Sequence, residues 1–126
     1  MDRPKKCITP DLARELEIRW QETRGFAINK ELGYEDSHQS VYTIEEIRDY
    51  LDYVEEKSNQ QGIKNPKISI FLGAYDKTEK KPSLTTMFLA PTKPDETNDE
   101  RNEPNYDIDP YNLGEIPWPP EKYGNE

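Results

Sequence analysis

The chain is short of the residues that most often announce a function. One cysteine, Cys7, in 126 residues excludes an intrachain disulfide. One histidine, His38, leaves little for a zinc site, which ordinarily draws three or four ligands rich in His and Cys. The six glycines are isolated, so there is no Gly-rich loop to cradle a phosphate. No apolar run approaches the ~20 residues of a membrane span. Thr9, Pro10 and Asp11 follow the first basic residues where a signal peptide needs an apolar stretch, so a cytoplasmic, soluble chain is expected. Only 32% of residues are hydrophobic, which is little core for this length and places part of the chain outside it.

What the chain has in excess is acid, proline and tyrosine. Its net charge is −9, and −7 of that lies from Pro91 onward. Such a surface repels phosphate backbones, so direct nucleic-acid binding is not expected. An acidic mimic that occupies a nucleic-acid-binding partner stays open. Asp95, Glu96, Asp99, Glu100, Asp107 and Asp109 offer oxygens for calcium, but not in an alternating loop with a central glycine, and runs of this kind are ordinarily solvated. No metal and no cofactor is expected.

Two helices are well signalled. Thr9 can cap, Pro10 suits the first helical position, and Leu12, Ala13, Leu16 and Trp20 recur at helical spacing until Gly25 offers a stop. Residues 26–28 could open a short strand or a loop, and 40–42 are expected to be extended. The second helix begins with a capping box, Thr43 and Glu46, ahead of Ile44, Ile47, Tyr50, Leu51 and Val54 on one face, and it ends before Gly62.

Two strands follow. Residues 67–75 (Lys-Ile-Ser-Ile-Phe-Leu-Gly-Ala-Tyr) become uniformly apolar, as a strand covered on both faces would, and 84–90 return after a polar turn until Pro91 closes them. The reading is α+β: two helices packed on a small, mainly antiparallel sheet, with a third strand from 26–28 or 40–42 and an extended Pro-rich C-terminal tail. By domain, 1–91 is a compact unit, 92–105 an acidic linker and 106–126 an aromatic, Pro-spaced tail segment. That segment is expected to dock on its own domain or on a partner, with Tyr106, Tyr111, Leu113, Ile116 and above all Trp118 as anchors.

Several segments resemble a family of small bacterial proteins to which no activity is attached. They are Gly33-Tyr34-Glu35-Asp36, Thr43-Ile44-Glu45-Glu46-Ile47, Ile68-Ser69-Ile70-Phe71-Leu72-Gly73-Ala74-Tyr75, Thr85-Thr86-Met87-Phe88-Leu89-Ala90-Pro91-Thr92, and Asn112-Leu113-Gly114 with Pro119-Pro120. The resemblance spans nearly the whole chain. Ser69 departs from it where the family has arginine, and His38-Gln39 where a base follows the acids. It implies the fold and a tail end that belongs to the folded unit, and it supplies no chemistry.

Three classes of function remain, ranked by what the residues offer. The first is a non-enzymatic protein-interaction module, of adaptor or immunity type, whose partner is another protein. The second is a small-molecule binder or small enzyme with a site near Glu35, Asp36, His38 and Tyr75, which requires 33–42 to fold into a pocket. The third is a structural role through self-association by an uncovered edge of the short sheet. No nucleophile is placed beside a base in sequence, so no catalytic residue is named.

Overall fold

Local chemistry starts both helical rods where the sequence places them. In the computed structural model, which describes residues 1–98, 100–112 and 114–124, the Thr9 hydroxyl accepts the Leu12 N–H at 3.1 Å and Pro10 opens helix α1 (Pro10–Trp20). Thr43 and Glu46 complete the capping box of α3 (Ile44–Gln60): Glu46 N–H donates to Thr43 Oγ1 at 3.0 Å, and Thr43 N–H to Glu46 Oε1 at 2.9 Å. The chain is α+β, with these helices and one three-stranded antiparallel sheet in the order β1 (Lys67–Ala74), β2 (Thr85–Pro94), β3 (Asn102–Pro104).

Gly25 does not stop the first helix. A π-helical turn, Gln21–Gly25, carries the chain into α2 (Phe26–Leu32), so 26–28 are helical and supply no strand. Two features suit a wide turn there. The Thr23 hydroxyl bonds the Arg19 carbonyl at 2.6 Å, competing for an acceptor of the α-helical ladder. The Trp20 ring lies over Gly25, where a Cβ would sit 3.0 Å from Trp20 Cζ3. The rod ends instead at Gly33, whose φ of +83° is the left-handed conformation that glycine adopts without a steric penalty.

The described residues divide into two units: residues 1–38 with the described part of 117–126, and residues 39–116. The second unit holds the sheet and α3. Its core is Tyr50, Val54 and Ile108, with Ile68, Leu89 and Tyr111 packed around them. Along α3 the buried line is Tyr50, Val54 and Ser58, four residues apart, while Ile44 and Leu51 of the expected stripe are exposed.

The described residues of the acidic stretch 92–105 form a hairpin rather than a linker. Thr92–Pro94 pair with Asn102–Pro104, and the turn closes on Asp95, whose carboxylate accepts the Thr97 N–H at 2.8 Å. Pro91 does not end β2 because it costs the β1 ladder nothing. Leu89, two residues before it, exchanges its backbone bonds with Tyr111 (2.9 and 2.8 Å), so Pro91 also faces away from β1. Asn105 then ties the returning chain down, its N–H on the Pro91 carbonyl at 2.9 Å and its side chain donating to Gln61 at 2.7 Å. The third strand is thus β3, and Val41 of the 40–42 stretch forms only an isolated bridge with Glu115.

Candidate interaction surface

Strand β1 is the outer strand of the sheet, paired with β2 from Lys67↔Thr92 to Ala74↔Thr85. Ile68, Ile70 and Leu72 share one of its faces by the two-residue period of a strand. Ile68 packs on the core, but the cover ends there: Ile70 is 67% exposed and Leu72 75%. On the opposite face Phe71 stacks on Phe88, ring centres 5.4 Å apart, and remains part-exposed. The expectation of a strand covered on both faces is therefore corrected. A continuous apolar run reads alike whether it is covered or bare, because coverage depends on elements remote in sequence.

Sheet edges in monomers are ordinarily blunted by charge, proline or a bulge. Residues 68–75 carry none of these: no charged residue, no proline, and an unbroken register with β2.

Four tyrosines stack beside the core of this unit. Tyr42, Tyr111 and Tyr50 stack in sequence (5.4 and 4.7 Å between centres), and Tyr53 follows Tyr50 at 6.1 Å. Tyr50 donates to the Asp109 carbonyl at 2.9 Å, and burial, followed by Tyr53 and Asp109, pushes its phenol up to about 12. Tyr75 belongs to this unit, where its hydroxyl meets Asn112, whose amide donates to the Met87 carbonyl at 2.9 Å. Gly114 follows because a Cβ there would press on the Tyr42 ring at 2.8 Å.

The tail anchors separate. Ile108, 1% exposed, seals the core, whereas Tyr106 is 89% exposed. Tyr111 sits inside the tyrosine stack and Ile116 is partly buried. Leu113 lies outside the described residues. Trp118, the leading anchor expected from the sequence, keeps 40% exposure and donates its indole N–H to the Glu35 carbonyl at 2.9 Å within the first unit.

Glu35, Asp36 and His38 fall together in that first unit. A groove of about 500 Å³ beside the π-turn is lined by Gln21, Phe26, Asn29, Glu35, His38 and Lys122, among others. His38 is nearly buried, edge-on to Trp20, with Nδ1 3.6 Å from Glu17 and Nε2 3.9 Å from Glu35. Both separations exceed a hydrogen bond. Asp36 is structural: its N–H reaches Asn29 Oδ1 and its carboxylate accepts the Ser37 N–H, both at 2.8 Å.

A second groove, about 760 Å³, gathers Lys64, Lys67 and Lys93 near Glu96 and Asp107. Sequence reading missed it because Lys93 lies far in sequence from Lys64 and Lys67. Lys67 is taken up by Asn102 (2.9 Å), and Lys93 faces Glu103 (3.8 Å). Among the described residues no group of three His, Cys, Asp or Glu could hold a metal ion, and no helix is long and apolar enough to cross a membrane. No protein-family model, curated protein or solved structure matches the chain.

Proposed function

We propose that this chain is a non-enzymatic protein-interaction module whose docking element is the open edge of β1. The observation that supports the reading is an edge strand without charge from Ile68 to Tyr75, on which Ile70 and Leu72 are two-thirds to three-quarters exposed. Strand addition needs such an edge: main-chain groups supply the bonds, and alternate side chains supply selectivity. The test is a chain bearing a photo-activated cross-linking residue at position 72, irradiated in lysate of its source cells. A discrete protein adduct, of this chain or another, that is absent when the cross-linker sits at exposed Glu79 is the expected result. Equal adducts from both positions, or none from position 72, would defeat the reading.

A second reading, a small-molecule site at the groove of the first unit, is favoured by His38 lying nearly buried between two carboxylates. A thermal-shift screen of polar metabolites against the wild-type chain and His38→Ala tests it. A ligand that raises the wild-type melting temperature and leaves the variant unmoved supports the site; no such ligand counts against it.

A further inference from the structure

The backbone of β1 determines what its edge can accept. Leu89 spends both backbone groups on Tyr111, so it faces away from β1, and its opposite residue Ile70 forms a pair without direct backbone bonds. The N–H and C=O of Ile70 therefore point outward. With a period of two, so do those of Ile68, Leu72 and Ala74. The inward set fits the same parity, since Tyr75 N–H bonds the Leu84 carbonyl at 3.0 Å.

We infer that the occupant of this edge is a second copy of the chain, β1 against β1, antiparallel about a two-fold axis normal to the sheet at Phe71. This rests on the interaction-module reading above and names its partner. A two-fold normal to the sheet keeps each face on its own side, so paired residues must share parity, and centring on Phe71 engages all of 67–75. Ile70 then lies opposite Leu72 of the second copy, and Leu72 opposite its Ile70, each pair exchanging both outward backbone bonds. Phe71 meets Phe71, and Ile68 meets Ala74. The two most exposed apolar side chains of the strand cover each other twice over. At the ends Lys67 of one copy falls beside Tyr75 and Asp76 of the other, placing opposite charges together where the uncharged stretch stops.

Two chains of −9 repel at long range, and salt screens that repulsion without touching an apolar, main-chain contact. Association should therefore tighten as salt rises. Sedimentation equilibrium over a concentration series, at low and high salt, is the measurement. A monomer–dimer equilibrium is expected for the wild type, favoured by salt and weakened about tenfold or more by Leu72→Lys, a substitution at an exposed position that leaves the fold intact by circular dichroism. Ile44→Lys, at an exposed apolar site on α3, should change nothing. The register has its own test. In a Cys7→Ser background, Phe71→Cys should oxidise to a covalent dimer, because opposed residues of a pair without backbone bonds bring their Cα atoms to about 4.5 Å, within disulfide reach. Glu79→Cys should not. A wild type that stays monomeric at every concentration and salt would overturn the inference, as would association indifferent to Leu72→Lys. Should the chain prove monomeric yet cross-link another protein from position 72, the second copy is excluded and the interaction module stands. Monomer and no adduct removes both.

Discussion

At the scale of single residues, the second unit depends on a few side chains that carry more than their sequence context suggests. Ile108 sits in a polar run, Asp107-Ile108-Asp109, yet it is 1% exposed and touches the core of Tyr50 and Val54. Ile108→Ala should destabilise by about 2–5 kcal/mol, the range for emptying a packed aliphatic site, read as a lower urea midpoint. Tyr50 adds a pH signature. Its phenol titrates at about 12 when folded, against an ordinary 10.0, so the native state holds a proton that the unfolded state gives up. The resulting stability is intact below pH 10.0 and is lost as pH rises toward about 12. Denaturant midpoints followed across that window should fall, and Tyr50→Phe should flatten the fall. A wild-type slope unchanged in the variant would assign the effect to other groups.

At the scale of elements, α3 was legible because its start is written in adjacent residues. Thr43→Ala should cost about 1 kcal/mol by urea denaturation. The Thr43 backbone N–H, then its side chain, hold Glu46 below the usual 4.5, so the capping carboxylate contributes above that pH and is lost as acid protonates it in the folded state. The penalty of Thr43→Ala should accordingly shrink in acid, where wild type has lost part of the box too. The π-turn was not legible. Gly25 carries the signal of a helix stop, and only the Trp20 ring lying against it shows why a residue without a Cβ is needed inside the rod. Strand β1 shows the same limit: its period and composition specify a strand, not its neighbours.

At the scale of the whole molecule, chain order and spatial order part company. Residues 105–111, within the acidic stretch after Pro91, return to complete the core around α3 and β2, through Asn105, Ile108 and Tyr111. A chain ending at Thr92 should therefore lose its cooperative thermal transition by circular dichroism. A melt equal to that of the full chain would show the returning segment to be dispensable.

By itself the sequence determined the α+β class, both helix starts, the β1–β2 hairpin and the concentration of acid after Pro91. Each is a matter of short-range chemistry: a cap three residues from its partner, a strand period, a count of charges. Only the tertiary structure decided that the acidic stretch forms β3, that Ile108 rather than Trp118 is the buried anchor, and that Tyr75 serves Asn112. Those outcomes turn on which distant backbone groups find partners and which apolar faces find cover. Ile70 and Leu72 stand exposed for that reason: the core of Tyr50, Val54 and Ile108 takes in Ile68 of the same strand face and leaves them out.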